Sequence, residues 1–307
     1  MIMAAYVSIC LIFGTTFLAI KVGVDAGMPP FLSAGLRFFL AGGAMLLWMS
    51  LRGRTKFRLL PHKESAAAGA LLTFGTFATL YWAEQHVSSG LAAVLSATGP
   101  IMILLLQTGS SRQRPPLASL LGCLIGITGV LLLVLPGLTF GSGLLWMASC
   151  AAVLAGEVCY ASGTLYSRRV IQRYAGTSPV ALNAAQMFYG GLFTLLLSFF
   201  TEEVRPETLL TGSAAGSLLY LVVFGSMIGH TLYYWLLART NPVFPSTWLY
   251  ISPPIAVFVG FLVYDEPLTP VMLLGVFTIV AGTVLVNAEG LKSLLSRPAP
   301  HTALPKK

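Results

Sequence analysis

The sequence predicts an all-α membrane protein of ten transmembrane helices in two inverted five-helix repeats. Three observations predict it: an apolar composition, a regular series of membrane-length runs, and a lopsided distribution of basic residues between loops. Of the 307 residues, 56% are hydrophobic and only 9% are charged. A water-soluble domain needs far more polar surface than this, whereas helices facing lipid need little.

Apolar runs long enough for about 30 Å of hydrocarbon fall at 3–23, 31–51, 66–86, 89–109, 117–136, 143–165, 178–200, 214–236, 245–264 and 269–288. Pro29-Pro30, Pro115-Pro116 and Pro245 lie near predicted helix starts, where a missing N–H costs nothing. The linkers are too short to hold a soluble domain. The first run begins almost at Met1 without a basic leader, which does not read as a cleavable signal peptide. After Gly290, Pro298, Pro300 and Pro305 mark a disordered basic tail.

The net charge is +8. The basic residues lie almost entirely in loops, so membrane orientation accounts for them and nucleic acid is not an expected partner. One side of the bilayer receives Arg52, Arg54, Lys56, Arg58 and Lys63, then Arg112 and Arg114, then Arg168, Arg169 and Arg173. It also receives Arg239, Lys292, Arg297, Lys306 and Lys307, whereas the other side receives only Lys21 and Arg205. This bias predicts both termini in the cytoplasm of a multi-pass protein of the bacterial inner membrane.

The chain also matches itself. A shift of 153 places Tyr81-Trp82 on Tyr234-Trp235, Pro100 on Pro253, Gly122 on Gly275 and Gly129 on Gly282. A shift of 149 places Phe39 on Phe188 and Gly42 on Gly191. The predicted units are 1–138, 139–290 and the tail 291–307. Five spans per unit is an odd number, so the second copy enters from the opposite side. Inverted copies of this kind build alternating-access carriers around a central site.

The run from Tyr81 to Pro100, YWAEQHVSSGLAAVLSATGP, resembles the third-to-fourth helix motif of the EamA-type drug/metabolite transporters. Arg37-Phe38 is similar to the second-helix motif of that family, and Gly14-Thr15-Thr16-Phe17 followed by Lys21 to its first. Asp265-Glu266-Pro267-Leu268-Thr269, with Gly275 and Gly282, resembles its ending, in which an acidic residue caps the last span. The counterpart of Asp265-Glu266 in the first copy is Arg112-Gln113, which is not acidic. The resemblance covers nearly the whole chain. It implies export or exchange of small organic metabolites, often amino acids. Export of other amphiphilic molecules or drugs, and facilitated diffusion without ion coupling, are the alternatives.

A mid-helix proline frees a carbonyl, which at membrane depth needs protein or a water-filled cavity as its partner. Pro100 and Pro253 therefore mark a central cavity, unless they serve only packing. Polar residues at helical spacing supply its candidate lining. The second span offers Arg37, and the third Phe77, Tyr81 and Gln85. The sixth offers Glu157 and Tyr160, the seventh Asn183 and Gln186, the eighth His230 and Tyr234, and the ninth Tyr250.

Charges within spans are costly and mark function. Arg37 can hold a substrate carboxylate through paired hydrogen bonds, or snorkel to the outer surface. Glu157 can bind an amine, carry a proton, or pair with another helix. His230 titrates near neutrality, or it serves as an interhelical hydrogen-bonder. Protons are thus a possible coupling ion. Glu84 and His86 are expected at a solvated membrane surface. Tyr81, Tyr160 and Tyr250 suit a pocket, while Trp82 and Trp235 suit an interfacial belt.

Several classes are disfavoured. The four cysteines, Cys10, Cys123, Cys150 and Cys159, form no C-x-x-C pair and read as small core residues. No phosphate-binding loop is present, so direct ATP drive is not expected. No catalytic constellation and no aspartate within a span point to an intramembrane enzyme. No cofactor or metal is expected. The expected partners are a small-molecule substrate and the lipid bilayer, with the chain a monomer or homodimer.

Overall fold

The computed structural model describes residues 1–53, 60–111, 117–139, 143–204, 206–209, 211–239, 248–266 and 268–286. The expectations for Arg112-Gln113, Pro115-Pro116, Pro245 and the tail after Gly290 lie outside them. Among the described residues the regular structure is helical. In chain order it comprises α1 (Ile2–Asp25), α2 (Pro30–Leu51) and α3 (His62–Ala83). Next come α4, in two pieces (Ser89–Ser96 and Gly99–Ser111), α5 (Leu117–Thr139) and α6 (Leu144–Arg173). The last four are α7 (Pro179–Thr201), α8 (Gly212–Leu236), α9 (Trp248–Tyr264) and α10 (Pro270–Val286). Six of them, α1, α2, α3, α6, α7 and α8, are long and apolar enough to cross a membrane, and α4, α5, α9 and α10 supply shorter apolar stretches.

Local chemistry fixes the helix starts. Pro30 and Pro179 occupy the first positions of α2 and α7, where no N–H is required. The Ser88 hydroxyl accepts the Leu91 N–H of α4, and the Thr211 hydroxyl accepts the Ala214 N–H of α8. Two carboxylates cap across the fold. Glu202, just past α7, accepts the Phe31 and Leu32 N–H groups at the start of α2, both at 2.8 Å. Glu266 accepts the Ser89 and Gly90 N–H groups at the start of α4, at 2.7 and 3.0 Å. An acid at a helix N-terminus meets both the orphan donors and the helix dipole. This alters the expectation for the acidic pair near the end of the chain. Glu266 closes α4, and α10 is capped instead by the Thr269 hydroxyl on the Met272 N–H.

The two proline-bearing helices also differ. α4 breaks at Ala97-Thr98, so Pro100 falls in the first turn of its second piece. α9 runs unbroken through Pro253 and Pro254. Both prolines nonetheless leave a carbonyl without its usual donor four residues on, at Ser96 and at Leu249.

Glycines let the backbones approach closely, and the contacts are reciprocal. On α2, a Cβ added at Gly42 would lie 2.5 Å from the Phe188 nitrogen of α7. On α7, a Cβ at Gly191 would strike the Phe39 nitrogen of α2. Phe39 and Phe188 stack with ring centroids 4.8 Å apart. Between α5 and α10, a Cβ at Gly282 would lie 2.5 Å from the Gly126 nitrogen, and one at Gly129 would lie 2.9 Å from the Ile279 nitrogen. Each contact is exchanged for its mate by the shifts of 149 and 153 found in the sequence. Such self-complementary packing is what a two-fold relation produces. A further pair fits the same shift: π-helical turns occupy Gly69–Gly75 within α3 and Leu221–His230 within α8.

Phe17, Ile20, Leu80, Tyr81, Val87 and Leu221 lie in the largest buried cluster, where α1, α3, α4 and α8 meet. Large apolar side chains also face outward, among them Leu47, Phe199, Phe200 and Phe277. Outward apolar side chains suit a hydrocarbon solvent.

Candidate functional site

A cavity of about 190 Å³ runs between α1, α2, α3, α4, α6, α8 and α9. It is more than ten times the ~10–15 Å³ that one water requires, so it is no packing flaw. Its inner end lies at Ile20 and Leu80, and it reaches the exposed Arg168 near the end of α6.

Arg37 comes from the middle of α2 and is only 1% exposed. Its Nε donates to Ser226 Oγ at 2.9 Å and its Nη1 to the Tyr81 hydroxyl at 3.3 Å. Its guanidinium carbon stands 4.6 Å from the Phe38 ring centroid and 5.1 Å from that of Phe77, within cation–π range. No carboxylate lies within 4 Å of it; the ion pair among the described residues is Lys21–Asp25, at 3.0 Å. Snorkelling to the outer surface is therefore ruled out for Arg37. Its seat is shaped from the other half of the chain: a Cβ at Gly225 of α8 would lie 2.9 Å from Nη2.

Glu157 comes from the middle of α6. It is 5% exposed, and its Oε2 has no hydrogen-bond partner among the described residues. Here too a glycine of the other half leaves the room. A Cβ at Gly99 of α4 would lie 2.5 Å from Oε2 and 3.3 Å from Tyr160 Cδ1. His230 stands edge-on to Phe13, Phe38 and Phe77, with centroids 5.4, 6.0 and 6.4 Å away. A cation, a carboxyl group, an imidazole and aromatic rings thus share one largely apolar hollow. That combination binds a small amphiphile by its polar ends and its body.

The structure places seven of the sequence-predicted residues on this cavity: Arg37, Phe77, Pro100, Glu157, Tyr160, His230 and Tyr234. The other six lie elsewhere. Tyr81 is fully buried behind Arg37 as its hydrogen-bond partner. Gln85 is exposed and bonds back to the Trp82 carbonyl. Asn183 and Gln186 are buried and bond to each other at 3.0 Å; Thr73 of α3 donates to Gln186, also at 3.0 Å. Their face of α7 meets neighbouring helices. Tyr250 and Pro253 are buried in α9 away from the lining. The expectation that Glu84 is solvated is overturned: it has no exposed surface at all. His86 is half-buried, its ring 5.7 Å from that of Trp82.

Sequence reasoning missed the face of α1. Phe13, Thr16, Phe17 and Ile20 line the cavity with Thr76, Ser96 and Tyr233. The spacing of three, four and seven along α1 was the available signal. Among the described residues no group of three His, Cys, Asp or Glu side chains is placed to hold a metal.

A helical membrane bundle enclosing a cavity with polar groups of this kind defines a transporter by class. The chain belongs to the EamA-like transporter family, whose model matches residues 1–135 and again 146–288. It is 30% identical to the inner membrane transporter YedA of Escherichia coli K12, over 92% of this chain and 89% of that one. It is 26% identical to the transporter YoaV of Bacillus subtilis, covering 92% and 94%. A relative in Streptantibioticus cattleyicolor, a probable terminal-alkyne amino-acid exporter, is 28% identical over 91% of each chain. A solved crystal structure superposes with a TM-score of 0.63 at 19% identity, covering 96% of this chain and 98% of that one, which supports the fold.

Proposed function

We propose that the protein is a secondary carrier exporting small carboxylate-bearing metabolites such as amino acids across the bacterial inner membrane. The observation that carries this reading is Arg37: a buried cation on the cavity wall with no carboxylate within 4 Å. An unpaired charge away from water is costly, and a substrate carboxylate relieves that cost. Glu157, on a different helix of the same cavity, is the counterpart for an amine. The family and the amino-acid exporter among the relatives agree with this substrate class.

The carrier works by alternating access between two inverted five-helix copies, 1–138 and 139–290, with the basic tail 291–307 and both termini in the cytoplasm. The doubled family match, the reciprocal glycine contacts and the paired π-helical turns support the duplication. The reading is tested by counterflow of labelled amino acids in proteoliposomes. Saturable counterflow that falls at least tenfold in Arg37→Gln is expected. No saturable counterflow with any amino acid would reject the substrate class. Tags reporting the two termini on opposite faces would reject the inverted arrangement.

A further inference from the structure

One end of the bundle gathers charged groups that the cavity does not use. There α1, α3 and α9 finish and α4 begins. Lys21 pairs with Asp25 at 3.0 Å and also donates to the backbone carbonyl of Glu84 at 2.9 Å. The Tyr264 hydroxyl bonds to Asp25 at 2.8 Å. Glu266 is fully engaged in capping α4. In the middle stands the Glu84 side chain, wholly buried, and neither of its carboxyl oxygens has a hydrogen-bond partner among the described residues.

This carboxyl group sits behind the wall that closes the cavity. Ile20 and Leu80 form the inner end of the lining, and Tyr81, Ala83, Val87 and Leu95 are packed with them, each nearly or wholly buried. The far end of the cavity, at Arg168, is the exposed one. Any opening of the closed end has to part α1 from α3 and α4 beside Glu84, and so admits water to it.

An ionised carboxylate with no donor in a dry site costs many kcal/mol and takes up a proton instead. The obvious counter-ion, Lys21, is spent on Asp25 and on a carbonyl. The charged groups whose fields reach Glu84 are Lys21 and Asp25 on α1, Arg37 on α2, and Glu266 beyond α9; two are cations and two are anions. We propose that Glu84 is a proton-binding site at the closed end of the cavity, holding one proton while that end is shut and giving it up when the end opens to water. The step is a simple ionisation: the carboxyl O–H breaks, the proton passes to water, and the carboxylate is left beside Lys21. Because the shut form carries the extra proton, acid on that face favours closure and alkali favours opening. The link to export rests on the carrier reading above; the protonation itself does not.

Infrared spectra of the full chain in lipid nanodiscs near pH 7 test the first half. A neutral carboxyl group shows a carbonyl band that ionised carboxylates lack. Glu157 is also buried, so wild type, Glu84→Gln and Glu157→Gln are compared. Glu84→Gln should lose a band that Glu157→Gln keeps. No neutral-carboxyl band in Glu157→Gln would overturn the proposal, even if Glu84→Gln failed to fold.

Cysteine labelling tests the second half. Val87→Cys, buried in the closed end, and Gly212→Cys, in open space at the exposed start of α8, are reacted with an impermeant maleimide on the face bearing Gly212. The Val87-to-Gly212 rate ratio should rise with pH from about 6 to 8, by at most about tenfold per unit for one proton. It should be flat in Glu84→Gln. A flat ratio in the wild-type background would overturn the gating role. Neither measurement needs a transported substrate, so failure here is distinct from failure of the carrier reading.

Discussion

The Arg37 guanidinium of α2 donates to the Ser226 hydroxyl of α8 at 2.9 Å, across 189 positions of sequence. It fixes the cation on the cavity wall without neutralising it. Ser226→Ala removes that acceptor from a charged donor, worth about 1.5–3 kcal/mol. Substrate affinity in counterflow should fall by roughly tenfold or more, with the helical circular-dichroism signal unchanged. Arg37→Lys should be more severe, since an ammonium cannot reproduce the planar set of donors. Equal affinity in Arg37→Lys and wild type would deny the guanidinium its role.

Gly99→Ala places a methyl group against the Glu157 carboxyl and the edge of Tyr160. The obstacle is the far end of a flexible side chain, so the fold should survive while Glu157 is displaced. Gly99→Ala should therefore reproduce the transport defect of Glu157→Gln, with a melting temperature within a few degrees of wild type. Wild-type transport in Gly99→Ala would show that the position of Glu157 does not matter.

Gly42 and Gly43 are neighbours in α2 with opposite prospects. An added methyl at Gly42 meets the backbone of α7 at 2.5 Å, whereas one at Gly43 meets only the Phe188 ring at 3.7 Å. Alanine gains up to about 1 kcal/mol over glycine in a helix, and overpacking costs about 1–3 kcal/mol or more. Gly42→Ala should lower the melting temperature in detergent and Gly43→Ala should leave it equal or raise it. Gly191→Ala should match Gly42→Ala, because it breaks the reciprocal contact. A stable Gly42→Ala would show that α2 and α7 are not in backbone contact.

Glu266→Gln keeps one acceptor for the start of α4 but loses the charge and one of two bonds to backbone donors. A cost of about 1.5–3 kcal/mol follows for that lost charged bond. Glu202→Gln loses the same from α2. Thermal unfolding should show comparable drops for both, roughly additive when combined, since the two caps share no partner. An unchanged melting temperature in either would remove that cap from the list of supports.

The helical class and the charges that matter were legible because membrane spans tolerate so few of them. Arg37 and Glu157 stand out in runs of apolar residues, and both prove to face the cavity. Asn183 and Gln186 show the limit of periodicity. Their spacing correctly puts them on one face of α7, but spacing cannot say which neighbour a face meets, and theirs bonds to Thr73 of α3. Glu84 was misread for a related reason. It sits at a helix end, where water is the usual solvent, and its burial comes from α1 and from the segment around Glu266, both distant in sequence. The prolines were legible as breaks in the hydrogen-bond ladder, yet only α4 breaks at one. Which helix yields depends on packing around it, which the sequence does not carry.

The two π-helical turns have a consequence for how this chain tolerates change in length. A π turn holds one residue more than an α turn over the same rise. Removing a residue between Gly69 and Gly75 would let α3 tighten into uninterrupted α-helix while its ladder stayed whole. Everything beyond would then rotate by about 100° about the helix axis, carrying Phe77 off the cavity and Tyr81 away from Arg37. At this point in the chain a single missing amino acid would act as a turn of the screw: the span would persist, and the site it serves would be dismantled.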